Sequence, residues 1–322
     1  MFSFTVTPTI NITFDDEEAR PKQVIKVKNQ DSEEMPVYNG NDNIAGKIQI
    51  LVPPGKKLEH IGIKVELLGL IELYFDKGNS IKFCHMMREL ENPGVLQQNK
   101  VIPFEFSTEK PYETYSGMNV RLRYFVRVTI GRNYGSSVVK EKDFALHNYQ
   151  SIAQQAIAAE APAQSIKMEV GIEDCLHIEF EFDRSKYHLK DVILGKINFL
   201  LVRIKIKYME LAIIRREAAG VGSNTYNESE NVSKFELMDG APIKGEMIPI
   251  RLFLAPLSIS PTYRSINNVF SVKYYLNLVL VDEEDRRYFK QQEVTFWRKQ
   301  FDATGLGSGV SEASRYASSR MI

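Results

Sequence analysis

Apolar and polar residues alternate along much of this chain, and a period of two is the pattern of half-buried β-strands. Between Arg121 and Val128 three arginines alternate with apolar residues. Five runs rich in Ile, Val, Leu, Tyr and Phe are predicted strands of the first half: 44–52, 58–73, 101–106, 120–130 and 137–146. In the second half, four apolar side chains of one strand are predicted to share the core face: Leu176, Ile178, Phe180 and Phe182. Turn signals such as Pro53-Pro54-Gly55 separate the runs, which predicts a β-sandwich.

The pattern occurs twice. Gly46-Lys47-Ile48 returns as Gly195-Lys196-Ile197, an offset of 195 − 46 = 149, and Ile102-Pro103 returns as Ile248-Pro249, an offset of 248 − 102 = 146. Two further markers keep the same order: Pro111-Tyr112 with Pro261-Thr262-Tyr263, and Arg123-Tyr124-Phe125 with Lys273-Tyr274-Tyr275. Since the offsets span about one domain length, the chain is predicted to contain two tandem copies of one fold.

One short helix is predicted in the first half. Ser80 is a suitable N-cap, Phe83, Met86 or Met87, and Leu90 recur at helical spacing, and Asn92-Pro93-Gly94 would end the helix.

The predicted fold class is therefore all-β, with two tandem immunoglobulin-like β-sandwich domains and one short helix. Residues 1–150 form the first domain and residues 166–301 the second. Between them, 151–165 is rich in Ala and Gln and is predicted to be the linker. The segment 302–322, rich in Gly, Ser and Ala, is predicted to be a disordered tail.

Charge and composition narrow the class of function. Forty-one Lys and Arg residues balance 41 Asp and Glu residues, so the net field that non-specific nucleic-acid binding needs is absent and no nucleic-acid partner is expected. The first residues lack a basic segment followed by an apolar one, and no apolar run is long enough to cross a bilayer. With two cysteines in 322 residues, a cytoplasmic protein in a reducing compartment is expected.

Candidate catalytic or metal chemistry is sparse. The pairs Cys84-His85 and Cys175-x-His177 lack the spacing of a zinc site, and neither cysteine has a recognisable base. The cluster Asp282-Glu283-Glu284-Asp285 offers oxygen ligands for calcium, but its position between two predicted strands favours a charged hairpin turn. No metal, cofactor or small-molecule substrate is expected, and the protein is predicted not to be an enzyme.

Charged residues on strands are candidates for a polar contact between the two sandwiches. This set comprises Arg121, Arg123, Asp143, Asp174 and Asp285. The alternative, solvated strand faces, stays open.

Several long segments resemble one family, the vacuolar protein sorting-associated protein 26 family, which contains the arrestin-fold subunit of the retromer complex. In the second half they are 165–180, 186–192, 238–242, 248–253 and 277–293, and in the first half 54–60, 109–113 and 119–125. Among them are Met238-Asp239-Gly240-Ala241-Pro242 and Ile248-Pro249-Ile250-Arg251-Leu252-Phe253. The resemblance covers roughly residues 1 to 298 and implies two arrestin-like sandwiches without catalysis.

The resemblance implies that the second domain docks on the large α-solenoid subunit of retromer through Leu237 and Met238, just before Asp239 and Gly240. The residues permit this, because the Ser, Asn and Glu-rich run 222–233 is predicted to be a mobile loop beside an apolar patch, and methionine suits adaptable interfaces. The alternative is that Phe235 and Leu237 form one face of a buried strand.

The family also recognises short hydrophobic sorting motifs in the cytosolic tails of membrane cargo, together with a phosphoinositide-binding sorting nexin. The resemblance places Val170 and Phe289 in that site, where an extended peptide would add along a strand edge. The alternative is that both are core residues. The protein is then expected to be peripheral on endosomes, with the membrane contacted only indirectly through its partners.

Two positions depart from the family pattern. A PDZ-bearing sorting nexin uses an acidic residue and a leucine in relatives, where this chain has Asn39 and Tyr149. Binding of such a nexin in that manner is therefore not expected.

Two other classes of function remain as alternatives. A free arrestin-like trafficking adaptor that recruits ubiquitin ligases would normally carry Pro-Pro-x-Tyr motifs in its tail, but 302–322 contains no proline. A sandwich enzyme or lectin would show a cluster of acid, base or metal-binding residues, and the sequence shows none.

Overall fold

The computed structural model describes residues 7–26, 32–76, 78–149, 166–172, 175–222 and 224–299, and the regular structure in them is β-strand. The strands of the first half are β1 (Thr9–Phe14), β2 (Lys22–Ile25), β3 (Glu33–Asn39), β4 (Ile44–Leu51), β5 (Leu58–His60), β6 (Gly62–Leu73), β7 (Ser80–Glu91), β8 (Gly94–Leu96), β9 (Lys100–Phe106), β10 (Tyr115–Ser116), β11 (Val120–Gly131) and β12 (Val138–His147). Those of the second half are β13 (Ile166–Ile172), β14 (Leu176–Phe182), β15 (Lys186–His188), β16 (Val192–Val202), β17 (Ile206–Val221), β18 (Asn224–Asp239), β19 (Met247–Phe253), β20 (Tyr263–Ile266), β21 (Phe270–Asp282) and β22 (Arg287–Trp297).

Each half builds one smaller and one larger sheet. In the first half these are β1-β4-β9 and β2-β3-β12-β11-β6-β7, with β10 paired to β11 and a separate β5-β8 pair. In the second half they are β13-β14-β16-β19 and β15-β22-β21-β17-β18, with β20 paired to β21. Two sheets that bury one face each form a sandwich core, so the predicted all-β sandwich class is confirmed.

The sequence repeat has a structural counterpart. Lys47 pairs with Pro103 between β4 and β9, and Lys196 pairs with Pro249 between β16 and β19. Tyr124 accepts a hydrogen bond from the Tyr112 amide at 3.3 Å, and Tyr274 does the same from the Ser260 amide at 3.0 Å. Each half therefore places the same residue types in the same contacts, as two copies of one fold would.

A close approach of backbones explains the repeated glycine. A Cβ on Gly46 would lie 2.2 Å from the Thr13 carbonyl oxygen, and one on Gly195 would lie 2.5 Å from the Glu181 carbonyl oxygen. Only glycine lets β4 and β16 pack this closely against their neighbours.

The predicted alternation agrees with the observed burial in β14, where Leu176, Ile178, Phe180 and Phe182 are all buried. In β11, Leu122, Tyr124, Val126 and Val128 belong to the main core, while Phe125 lies on the opposite face with Leu68 and Leu70. Arg123 covers that opposite face, with its guanidinium carbon 4.0 Å from the centre of the Phe125 ring.

The predicted helix is wrong. Residues 80–91 form β7, which pairs with β6 over its whole length. Register shifts near Gly69 and Ile63 leave Phe83 and Leu90 unopposed, and such bulges break the period of two. The resulting spacing of apolar residues imitates a helical period.

The predicted loop at 222–233 is also wrong apart from its turn. Residues from Asn224 onward belong to β18, which forms a long hairpin with β17. Residues 224–231 are exposed on both faces of this edge strand, so the sequence has no apolar alternation that would indicate a strand. The predicted linker and tail, 151–165 and 302–322, lie outside the described residues, and the domain boundaries stay predictions.

Candidate protein-interaction site

The predicted docking residues lie at the C-terminal end of β18. Met238 pairs with Met209 and Glu236 with Glu210, which leaves Leu237 as the extra residue of a β-bulge. Leu237 and Met238 are half-buried and pack against the core. Phe235 and Leu237 lie on a strand, as the alternative has it, but both are half-buried and not buried. Asp239 and Gly240 are exposed.

Gly240 ends the strand and starts the loop to β19. Its φ of 112° is a conformation that favours glycine, and its amide donates to the Lys207 carbonyl at 2.8 Å. Three residues later, Ile243 is 72% exposed at the loop surface. Sequence reasoning missed Ile243, although an isoleucine between Pro242 and Lys244 in a turn-rich segment was a usable signal. The loop adds an exposed apolar side chain beside the half-buried pair.

The acidic cluster 282–285 lies at the same end of the sheet, where it forms the β21–β22 turn. The Asp282 carboxylate accepts from the Arg286 amide at 2.9 Å, from its Nε at 2.7 Å and from the Tyr288 hydroxyl at 2.9 Å. Burial disfavours the charged carboxylate, but these hydrogen bonds outweigh it and lower the pKa of Asp282 to about 2. These hydrogen bonds use the Asp282 carboxylate to close the turn between β21 and β22, so the predicted charged hairpin turn is confirmed.

Val170 and Phe289 lie on the side of the second sandwich where its two sheets approach each other. Phe289 is 66% exposed on β22, so it is not a core residue. Val170 lies on edge strand β13, where its backbone pairs with Ile178 of β14. Strand β13 runs close to β22. On its outer side β22 is paired with β15 only at residues 295–297. Within the described part of the chain, the rest of that edge has no strand partner.

The polar junction between the two halves uses residues other than those predicted. The Glu217 carboxylate of β17 is 1% exposed and accepts from the Tyr115 hydroxyl at 2.8 Å and from the amides of Met118 and Asn119 at 3.0 and 2.6 Å. Burial and the adjacent Glu217 charge raise the pKa of Tyr115. All three of these hydrogen bonds are donated by the first half of the chain.

A second ion pair and an aromatic cluster complete the junction. Arg298 Nε lies 3.1 Å from both carboxylate oxygens of Glu113, and burial raises the pKa of Glu113 although Arg298 opposes the shift. Tyr115 packs on Tyr263 and Phe270 at ring separations of 5.1 and 5.7 Å. The two halves therefore meet over a buried contact that is both polar and aromatic.

Of the residues predicted for this junction, Arg121 and Arg123 bind Asp143 within the first sandwich. Asp285 is exposed in the β21–β22 turn, and Asp174 lies outside the described residues. Arg121, Arg123 and Asp143 form a largely buried ion-pair network inside one sandwich, so the alternative of solvated strand faces is wrong for them as well.

Both cysteines are partly buried. Cys84 and Cys175 are free, and burial raises the pKa of Cys84. Within the described ranges, no group of three or more His, Cys, Asp or Glu residues is arranged to hold a metal ion. Those ranges also contain no helix long and apolar enough to cross a membrane.

The two positions that depart from the family pattern, Asn39 and Tyr149, lie at one edge of the first sandwich. Asn39 ends β3 opposite His147 of β12, and the Tyr149 hydroxyl lies 3.2 Å from His147 Nδ1. Burial, with a contribution from Arg298, lowers the pKa of His147 to about 3, so this histidine is neutral. The edge carries no carboxylate at position 39.

Two tandem sandwiches joined through a buried polar contact define an arrestin-like protein. The chain belongs to the vacuolar protein sorting-associated protein 26 family, since the model of that family matches residues 4–285. It is 55% identical over 303 residues to vacuolar protein sorting-associated protein 26B of Arabidopsis thaliana, covering 94% of this chain and 98% of that protein. It is 52% identical over 300 residues to the human vacuolar protein sorting-associated protein 26B, covering 92% of this chain and 87% of that protein. It is also 52% identical over 309 residues to vacuolar protein sorting-associated protein 26 of Dictyostelium discoideum, covering 95% of this chain and 86% of that protein.

Proposed function

We propose that this chain is the non-catalytic, arrestin-fold subunit of a retromer cargo-recognition complex that retrieves membrane proteins from endosomes. Its relatives are named for vacuolar protein sorting, and its family is one of sorting proteins. The observation that carries the proposal is the apolar end of β18, which lies at the end of the molecule away from the junction.

The large α-solenoid subunit is the proposed partner of Leu237, Met238, Asp239 and Gly240. A bulge that holds Leu237 and Met238 at the surface, followed by the exposed Ile243, gives an apolar contact surrounded by charged side chains. Interfaces of this kind place most binding energy in a few apolar residues inside a polar rim.

The first experiment is calorimetric titration of the chain with the solenoid subunit. Because Leu237 and Met238 also pack against the core, Ile243→Asp is the cleaner variant, and Met238→Asp is the second. Each is expected to weaken binding by at least about 2 kcal/mol, roughly 30-fold.

Val221→Asp is the matched control, because Val221 is a 58% exposed apolar residue at the other end of the same hairpin. No binding by the unaltered chain would favour the alternative of a free arrestin-like adaptor. Equal binding by all variants would support the complex but show that the interface lies elsewhere on the chain.

The cytosolic tails of membrane cargo, presented with a sorting nexin, are the proposed ligands of the edge that carries Val170 and Phe289. The unpaired backbone of β22 would hydrogen-bond an extended peptide, and Phe289 would contact an apolar side chain of the sorting motif. The protein would then be cytoplasmic and reach endosomes through these partners.

The cargo proposal is tested by peptide binding to the chain with its nexin. Phe289→Ala is expected to reduce affinity roughly 10-fold or more. Phe253→Ala is the control, since Phe253 is 55% exposed but lies on β19 of the other sheet. Equal losses in both variants would mean that Phe289 has no specific role.

A PDZ-bearing nexin is not a proposed partner, because Asn39 supplies no carboxylate at the edge formed by β3 and β12. Asn39→Asp is expected to create or strengthen binding of such a domain. Strong binding by the unaltered chain would contradict this.

A further inference from the structure

The outer face of the larger sheet in the second half carries a group of cations. Side chains alternate between the two faces of a sheet, so a residue next to a buried one on its strand points outward. Four cations are next to buried residues in this way, each on a different strand: Lys186 beside Tyr187 on β15, Arg264 beside Tyr263 on β20, Lys273 beside Tyr274 on β21 and Arg216 beside Glu217 on β17. We refer to these four cations as the basic patch.

The strand register brings the basic patch together. Arg216 pairs directly with Lys273, and Lys186 pairs with Thr295 of β22. Arg264 donates to the hydroxyl of the same Thr295 at 3.0 Å. From β15 across β22 and β21 to β17 there are three strand spacings of about 4.8 Å, so the patch spans about 14 Å.

Glu293 is the carboxylate that reaches the basic patch. Its oxygens lie 3.6 Å from the Arg264 guanidinium and 3.8 Å from the Lys273 ammonium, which is too far for hydrogen bonds. Arg216 donates to the neutral side chain of Gln291 and lies over a tyrosine ring. Four cations and one carboxylate leave 4 − 1 = 3 positive charges on this part of the face, so it favours an anion.

Other carboxylates of the second half lie elsewhere or have their own partners. Glu228 and Glu230 of β18 pair with Glu217 and Arg215, whose side chains are on the opposite face of the sheet. Glu210 is on the same face as the patch, but it is six residues, about 20 Å, from Arg216 along β17, and it binds Lys234. Asp183 and Asp191, before and after β15, are both paired with Arg184.

An open cavity of about 410 Å³ adjoins the basic patch and is lined by Arg264 and Lys273. Hydroxyl and amide side chains complete its polar lining: Thr225, Ser265, Asn268 and Ser271. Among the described residues, the lining contains no carboxylate. Guanidinium, ammonium, hydroxyl and amide groups are all hydrogen-bond donors, and phosphate oxygens are strong acceptors for them.

We propose that the basic patch and its cavity bind a phosphate group, carried by a soluble phosphate ester or by the head group of a phosphoinositide. An acidic peptide suits the site less well, because β22 is paired with β15 at 295–297 and β21 and β17 are interior strands. Their backbone is therefore not free to pair with an added strand. The guanidinium of Arg264 and the ammonium of Lys273 supply charge-assisted hydrogen bonds to the phosphate. This inference goes beyond the proposed function and does not depend on it.

Calorimetric titration of the full chain with inositol trisphosphate tests the proposal. Arg264→Gln with Lys273→Gln is expected to weaken binding roughly 100-fold, since each hydrogen bond to a charged group contributes about 10-fold or more. Glu293→Gln is expected to strengthen binding roughly 3-fold, because it removes the carboxylate that competes with the ligand for both cations. A merely unfolded variant could not show this gain.

Lys56→Gln with Lys57→Gln is the matched control, because it removes the same charge from two exposed lysines of the first half. Its affinity should stay within about 2-fold of the unaltered chain, since screening weakens interactions between distant exposed charges. An equal loss in this control would overturn the proposal, as would no binding by the unaltered chain.

Two further ligands identify the source of the phosphate. Vesicles that contain a phosphatidylinositol bisphosphate are sedimented with the chain, and binding that is lost in the Arg264 and Lys273 variant assigns the site to a lipid head group. Binding of the free head group alone assigns it to a soluble phosphate ester. A polyglutamate peptide that binds as tightly as inositol trisphosphate, with the same dependence on Arg264 and Lys273, would overturn the choice of phosphate.

Discussion

Glu217 is the residue on which the junction between the two halves most directly depends. Its carboxylate accepts from Tyr115, Met118 and Asn119, and it is buried. Glu217→Gln would remove the charge and point an amide group at backbone donors, so we expect a loss of about 2 kcal/mol. Thermal unfolding should show Tm lowered by roughly 4–8 °C.

Glu228→Gln is the control for that measurement, because Glu228 is directly opposite Glu217 on β18 but is exposed. Its Tm should stay within about 1 °C of the unaltered chain. Similar losses in both variants would show that the interdomain hydrogen bonds contribute little.

Asp282 gives a prediction for pH dependence. Its folded pKa of about 2 lies below the ordinary value of 3.8, so its stabilising effect is complete above about pH 4 and is lost as the pH falls towards 2. Asp282→Asn should therefore have a lower Tm than the unaltered chain at neutral pH, and the difference should shrink between pH 4 and 2. A pH-independent gap for Asp282→Asn would contradict the role given to its charge.

At the scale of elements, β7 shows why the spacing of apolar residues led to the wrong prediction of a helix. Phe83 and Leu90 are the extra residues of two bulges, and a bulge shifts every later side chain by one position. If 80–91 is a strand, Met87→Val at a half-exposed site should leave stability unchanged or raise it, because branched residues favour strands. Met87→Gly should cost about 1 kcal/mol. Urea unfolding of both variants tests this; destabilisation by valine as large as by glycine would favour the helix.

Other elements explain which parts of the fold could be predicted. Strand β14 was predictable because one of its faces is buried, so Leu176, Ile178 and Phe180 alternate with polar residues. The outer half of β18 was not, since it has no buried face and its pairing comes from the backbone of β17. Glu217 was missed for a related reason: in Arg215-Arg216-Glu217 it looks like a solvated charge, and its donors are about 100 residues away in sequence.

At the scale of the whole molecule, β17 connects the junction to the proposed solenoid site. Glu217 lies near one end of this strand, and Tyr208, which pairs with Asp239, lies near the other. The separation is 217 − 208 = 9 residues, about 30 Å along the strand. A strand buried in the middle of a sheet is stiff, so disruption of the junction should change the arrangement of the two halves without altering the docking surface.

Glu217→Arg tests whether the docking surface is independent of the junction. The substitution would bury a cation against the amide donors of Met118 and Asn119 and so disrupt the junction. Small-angle X-ray scattering should show a larger radius of gyration, while affinity for the solenoid subunit should change by less than about 3-fold. Glu228→Arg, exposed on the neighbouring strand, should alter neither quantity. If solenoid affinity fell together with the compactness of the chain, the docking surface would have to depend on the junction, and the two ends of β17 could not be treated as independent sites.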